Sequence, residues 1–337
     1  MQYFSANLDL EDLYLLMVAV EKEKNVGECR RKRNAKCREL IAIEPNIIAS
    51  PHDIHDNTMQ LILQKSFYKS GNLQQNLMKL ELKEEKLMAV TNRDYQVCFH
   101  YTLVVKLAPR WNEIGSQSYE NGILLVQGAN FLTSKKPLPA LTLEVNVMTS
   151  EVQISLQPFM IKIPVTKFTN FGITAKVAKE FSSKEINIIP DKHIKRQWCS
   201  IFPSMKMGKV VEISREISSY SNFKDYAEMR VFWKNNYGYQ LPSRNDFYYG
   251  VYFSQFGRTL TYPRCCILPE KPNVWKCTES NATHMSDFMK DVNMKLAVLC
   301  GQGLNFVSRA SRLPMQLIPA TQVSGEDDDN SFSHSST

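Results

Sequence analysis

No C-x-x-C pair joins any two of the eight cysteines of this 337-residue chain; Cys29, Cys37, Cys98, Cys199, Cys265, Cys266, Cys277 and Cys300 are scattered along it. That spacing excludes a disulfide framework of the small secreted kind. Met1 to Asn7 carry no basic residue, and the apolar stretch from Leu8 to Val20 is interrupted by Asp9, Glu11 and Asp12. Neither a signal peptide nor a membrane span fits that pattern. The expectation is an intracellular protein of nucleus or cytoplasm, with no membrane partner. A Gly-x4-Gly-Lys-Ser/Thr loop is missing, as is Gly-x-Ser-x-Gly, which removes the usual phosphate cradle and the serine-hydrolase elbow. Gly301, Gln302 and Gly303 follow a helical pattern, whereas a dinucleotide site would precede one. Ser66 and Lys69 make a Ser-x-x-Lys without its companion elements, and no internal repeat is visible. No cofactor is implied.

Apolar residues are plentiful: 43% of the chain is hydrophobic, 10% aromatic and 22% charged, which suits a folded globular chain with a proper core. Leu10, Leu13, Leu16, Met17 and Val20 fall at helical spacing and predict a packing helix to about Glu23. A basic helix follows from Cys29 to Ile41. Tyr95, Val97, Phe99, Tyr101, Leu103 and Val105 alternate and predict a half-buried strand. Leu141, Leu143, Val145 and Val147, then Val152, Ile154 and Leu156, read as a hairpin, and Tyr249 to Phe253 with Leu260 and Tyr262 as a second. Helices are expected over Leu73 to Leu87 (passing into strand), Thr166 to Phe181, Phe223 to Asn235 capped by Asn222, and Ser286 to Leu299. The fold class that follows is α+β, with mixed or antiparallel sheets, hairpins and packing helices. One extended domain spans 1–319, with a soft sub-boundary near 182–193. Residues 320–337, acidic and Ser-rich, compose a tail expected to be disordered.

Two clusters raise the question of a metal. His52, Asp53, His55 and Asp56 are dense enough to bind a divalent ion but follow Pro51, where a turn uses the same residue types. Cys265 and Cys266 are adjacent and so point apart on a strand, which makes them, with Cys277, His284 and Cys300, a poor zinc set. No metal ligand is assigned.

Charge is the stronger signal. The formal charge is +7, and the tail holds Glu326, Asp327, Asp328 and Asp329 with no Lys or Arg, so the rest of the chain stands at +11. Arg30, Arg31, Lys32, Arg33, Lys36 and Arg38 crowd one helix and make a candidate polyanion-binding face, with nucleic acid as a possible partner. A second basic set, Lys192, Lys195, Arg196, Lys206, Lys209 and Arg215, has Trp198 among it. The aromatic group from Phe232 to Phe256 can stack on bases or pack a core; the alternation of Tyr249, Val251 and Phe253 favours packing.

The segments FPSMKMGKVVEISREI, FKDYAEMRVFWKNNYGYQLP and YYGVYFSQFGRTLTYPRCCILP resemble an uncharacterised animal family of the chromosome-eighteen open-reading-frame type, which carries a domain of unknown function. The match is most specific at Trp233, Lys234, Asn235, Tyr237, Gly238, Tyr239, Leu241 and Pro242, and at Thr261, Tyr262 and Pro263. The resemblance implies no activity, cofactor or catalytic residue. Trp233, Tyr237, Gly238, Tyr239, Pro242, Tyr262 and Pro263 read as a structural motif: an aromatic helix stripe ends at Gly238, Pro242 blocks its continuation, and a Tyr-rich hairpin packs on it. The expectation is a non-catalytic protein-interaction or scaffold module with an unidentified protein partner. The alternatives are a nucleic-acid-associated protein using helix 30–38, and an enzyme assembled from dispersed residues around His52 and His55, with His100.

Overall fold

The computed structural model describes residues 1–23, 25–52, 55, 57–115, 122–255, 257–277 and 283–309; the expected tail, Asp53 and Asp56 lie outside them. Strand β1 (Gln2–Asn7) leads to β2 (Leu13–Ala19), and helix α1 (Val26–Ile43) to the hairpin of β3 (Ile47–Pro51) and β4 (Thr58–Gln64). Short helices α2 (Lys65–Lys69) and α3 (Asn72–Lys79) precede β5 (Lys83–Met88) and the long α4 (Asn92–Leu107). A four-stranded first sheet results, in order β3-β4-β2-β5.

The second sheet begins with β6 (Trp111–Ile114) and β7 (Ile123–Gln127) and continues into the long hairpin β8 (Leu138–Met148) and β9 (Glu151–Lys162), with β1 beside β9. Helix α5 (Ala175–Ser182) leads to β10 (Ile188–Pro190), β11 (Trp198–Ile201) and β12 (Lys206–Ser214). Helix α6 (Tyr226–Tyr237) then precedes β13 (Tyr248–Phe253), β14 (Arg258–Pro263) and β15 (Ile267–Leu268). They form a third sheet in order β14-β13-β12-β11-β15, with β10 on β12. Of the segment 182–193, residues Ile188–Pro190 pair with β12 in that sheet. Finally β16 (Asn273–Lys276) returns to β9, α7 (Thr283–Lys295) crosses back, the pair β17 (Val298–Leu299) and β18 (Gln302–Gly303) follows, and β19 (Val307–Arg309) joins β1. Every strand pair described is antiparallel, and the protein is of the α+β class.

Two expectations fail. Leu13–Ala19 is not a helix but a central strand between β4 and β5, buried on both faces. Its unbroken apolar run satisfies any period, so helical spacing there carries no information. Residues 95–105 are not a strand but the body of α4. Tyr95, Cys98, Phe99, Leu103 and Val104 are all buried, because the first sheet, the second sheet, α1 and α7 press on the helix from several sides. The buried residues Tyr95, Cys98, Phe99, Thr102, Leu103 and Leu107 fall at helical spacing, but Tyr101 and Val105 add a second apolar side, and the alternation they complete hides the stripe. Its start was written locally: the Thr91 hydroxyl accepts from Asp94 N (3.2 Å) and the Asp94 carboxylate from Thr91 N (3.1 Å), a capping box. Smaller differences concern helix starts. The helix expected over Thr166–Phe181 forms only from Ala175, capped by Thr174, and α6 is capped by Asp225 rather than Asn222. Helix α7 begins at Thr283, before Ser286.

Packing ties the sheets together. Leu15, Ile48 and Ile62 of the first sheet and Leu141, Leu143 and Ile154 of the second share one core with α4 and α7. The opposite face of the second sheet, at Val126, Ala140 and Ile161, packs on Trp233 and Tyr239. Trp111 fixes α7 to the second sheet: its indole N–H donates to Asp291 Oδ2 (2.8 Å), its ring meets Phe288 edge-on at 5.1 Å, and Arg110 Nη1 lies 3.0 Å from Asp291 Oδ1. Asp291 is buried while Arg110 is half exposed, so removing the carboxylate strands chiefly the buried indole N–H. Asp291→Ala should therefore cost about 2–4 kcal/mol of unfolding free energy in urea, and Asp291→Asn, which keeps an acceptor for the indole, distinctly less. Equal losses for the two variants would count against this role.

Candidate interaction site

Six cations on one helix repel one another unless each finds a partner. Helix α1 starts at Asn25, whose side chain accepts from Gly27 N (2.8 Å), and its buried stripe of Cys29, Cys37, Leu40 and Ile41 seats it on the first sheet. Arg33 is buried. Its Nη1 donates to the carbonyls of His52 (2.7 Å) and His55 (2.8 Å), which closes the turn between β3 and β4. Lys32 pairs with Glu23 at 2.8 Å, and Lys36 lies 3.9 Å from Glu39. Arg31 and Arg38, two turns apart and so on one face, meet α6 and its end, at Phe232 and Gly238. Only Arg30 of the six is exposed. The cations are thus distributed over different tasks and do not form one continuous basic face.

Helix α6 is held between two caps. Asp225 Oδ1 accepts from Glu228 N (2.8 Å), and Gly238 ends the helix at φ +77°, its N–H donating to Lys234 O. Between them Phe232, Trp233 and Tyr237 project toward β14. Trp233 meets Tyr237 at 5.2 Å and Tyr262 at 6.3 Å, while Phe232 meets Phe223 at 5.1 Å and Tyr237 at 5.8 Å. These rings, with Tyr220 and Thr261, line a recess of about 180 Å³. Arg31 stands at its rim, its guanidinium carbon 5.6 Å from the Phe232 ring centre. Burial raises the pKa of the Tyr237 and Tyr262 hydroxyls, and the nearby Arg31 charge partly opposes it. Both hydroxyls stay protonated donors.

The rest of the motif supports this wall. Tyr239 packs edge-on against Phe131 at 4.8 Å and donates to the Glu113 carbonyl; Tyr226 OH donates to Pro242 O (2.8 Å); Pro263 pairs with Tyr248. A Cβ on Gly238 would lie 2.3 Å from Arg38 Nη2 and 2.9 Å from the Ala108 Cβ, so glycine is needed both for its φ and for the close approach of Arg38. Arg38, Lys234, Asn235 and Gly238 line a separate groove of about 430 Å³.

Elsewhere the sequence candidates fall apart from one another. His52 and His55 stack at 4.9 Å, and His52 Nδ1 accepts from His55 N (3.2 Å), a turn closed on itself. His100, on α4, is not among the residues lining the cavity beside them, and burial lowers its pKa. Cys265 and Cys266 do not point apart on a strand but lie in a 3-10 turn with their sulfurs 3.9 Å apart, whereas Cys300 Sγ bonds Ile62 O at 3.2 Å in the first sheet. Among the described residues no group of three or more His, Cys, Asp or Glu is placed to hold a metal ion. Burial pushes the Cys98, Cys199 and Cys300 thiols up to about 12, which leaves them un-ionised and poorly nucleophilic. The second basic set was visible in the sequence, but its environment was not: Trp198 is on the surface of the third sheet.

The chain belongs to the family described as a domain of unknown function (DUF4708), whose sequence model matches residues 2–273. Among solved structures, Marinitoga piezophila Argonaute in complex with a 5' OH guide RNA and target DNA is 9% identical over 87% of this chain and 35% of its own, at a TM-score of 0.31. Drosophila Piwi is 8% identical over 76% of this chain and 35% of its own, at 0.30. The chain thus spans about a third of the length of these proteins, and at such scores the likeness defines no common fold. No helix among the described residues is long and apolar enough to cross a membrane.

Burial pushes the Glu113 carboxyl up to about 7 against the opposing pull of Arg38. The unfolded chain releases that proton near the ordinary 4.5, so the native state binds more protons between those values, and stability falls as pH rises from about 4.5 to 7. Glu113→Gln should remove that slope, gaining about 2–3 kcal/mol at pH 8 and little at pH 4 in urea titrations. The same change at both pH values would refute the assignment. Gly238→Ala should cost about 1–3 kcal/mol in the same assay, from the αL penalty and the displaced Arg38.

Proposed function

We propose that the protein is a non-catalytic interaction module that takes an aromatic side chain, flanked by a carboxylate, from a protein partner into the recess beneath Arg31. The observation that carries this reading is the convergence of Arg31 of α1 with Phe232, Trp233, Tyr237 and Tyr262. A space of about 180 Å³ is below the usual range for small-molecule sites, roughly 300–1,000 Å³, and suits one large side chain. Aromatic and arginine residues around one pocket are the composition of interface anchors. The rim cation selects an anionic neighbour for the anchor. Within DUF4708, the finer assignment to the animal family of the chromosome-eighteen type rests on WKNNYGYQLP and TYP. Eight free thiols suit an intracellular, reducing compartment, nucleus or cytoplasm.

The other readings have less support. A polyanion site on helix 30–38 would have one exposed cation, and an enzyme around His52 and His55 would have to open a turn whose carbonyls Arg33 holds. Phage-displayed peptides selected on the folded chain test the proposal. Wild type should enrich an aromatic residue next to Asp or Glu, and Arg31→Glu should shift the flank preference to Lys or Arg. No enrichment, or identical preferences for both proteins, would overturn it.

A further inference from the structure

Residues directly opposite in an antiparallel pair point to the same side of a sheet. Across the third sheet, Trp198 pairs with Lys209, Lys209 with Tyr252, and Tyr252 with Thr259, so these four form one transverse row. Their chain neighbours Cys199, Val210, Val251 and Phe253 point the other way and are buried in the core that includes α5. The row itself is open: Trp198 is 61% exposed and Tyr252 38%, and Met207, one pleat away on β12, is 53% exposed. Farther along the same face the sheet is covered, with Tyr248, Thr261 and Ser214 buried. Only the end carrying Trp198 and Tyr252 faces solvent.

On this face the strands carry Lys209 and one acid, Glu212, whereas Lys206 and Arg258, opposite Ile201 and Phe253, lie on the other face. That acid shares the face, but its Oε1 accepts from Tyr220 OH (2.7 Å) and from Ser218 Oγ at the covered end. Exposed Lys195 and Arg196 precede Trp198 in the chain. A protein partner seated here would have to bury the central Lys209; a polyanion would use it.

We propose that this open face binds single-stranded nucleic acid, with bases stacked on Trp198 and Tyr252 and the phosphate between them on Lys209. Strands lie about 4.8 Å apart, so the two rings, on either side of β12, stand about 10 Å apart with the lysine midway. That spacing accommodates two bases joined across a cation, the arrangement by which open sheets read unpaired strands. The ring planes, not base edges, make the contact, so the site tolerates sequence and requires unpaired bases. DNA and RNA share this chemistry.

The test uses the full chain and fluorescently labelled oligothymidylate and oligouridylate of about 12 nucleotides, within the usual site sizes, followed by anisotropy at 50 and 200 mM KCl. Both should bind, and the relative affinities assign the natural source. Trp198→Ala and Tyr252→Ala should each weaken binding about 5- to 150-fold, Tyr252→Phe should retain it, and Lys209→Gln should lower the log–log salt slope by about 0.7. Trp198 and Tyr252 are exposed and Lys209 is partly buried between them, and an unchanged urea midpoint would show that the variants fold. The proposal fails if neither oligonucleotide binds at 50 mM KCl, if Trp198→Ala binds within twofold of wild type, or if a duplex binds as tightly as a single strand. Self-association abolished by Trp198→Ala, with no oligonucleotide bound, would make the face a protein interface and equally overturn it.

Discussion

Helix α4 is the constraint on which the other elements depend. Strand β3 lies at the edge of the first sheet, where backbone groups have no strand partner, and the helix covers it: Ala49 N donates to the Thr102 hydroxyl (2.8 Å), which donates to Ala49 O (3.2 Å). A single threonine thus satisfies both an orphan donor and an orphan acceptor on a strand edge that would otherwise invite another chain. Because α4 also contacts the second sheet, α7 and α1, its position fixes where α1 lies. The placement of α1 in turn decides that Arg31 and Arg38 reach α6.

The basic helix shows why charge density alone is a weak guide to function. In an isolated helix its cations would be destabilising, yet Arg33 supplies donors to two carbonyls, Lys32 takes up Glu23, and Arg31 lies over an aromatic face. Long stems let arginine and lysine place their charges well away from the helix axis, so one helix serves a turn, a loop and a neighbouring helix. Two exposed aromatic rings, Trp198 and Tyr252, lie instead on the third sheet.

Legibility followed burial. The hairpins β8–β9 and β13–β14 alternate and were readable, because one face of each strand is more deeply buried than the other. Strand β2 and helix α4 were not, because elements covered on several sides lose the period that distinguishes them; the Thr91 to Asp94 cap was a local signal that outweighs the alternation from Tyr95 to Val105. Arg31 and the Trp233 to Tyr262 motif were each visible, but their meeting depends on how the first and third sheets are stacked, which no local pattern encodes. Tyr252 was implicit: once Tyr249, Val251 and Phe253 point inward, the residue between Val251 and Phe253 must point outward.

Tyr220 belongs to two places at once. Its ring lines the recess under Arg31, while its hydroxyl holds Glu212 at the covered end of the third sheet's face. A guest that swings this tyrosine aside leaves Glu212 with the Ser218 hydroxyl as its donor and frees the carboxylate to turn toward Lys209, where it would compete with a bound phosphate. Thermodynamic linkage makes the antagonism mutual: the bound polyanion disfavours that guest by the same factor. One phenol hydroxyl would thereby make the two surfaces compete without sharing a ligand.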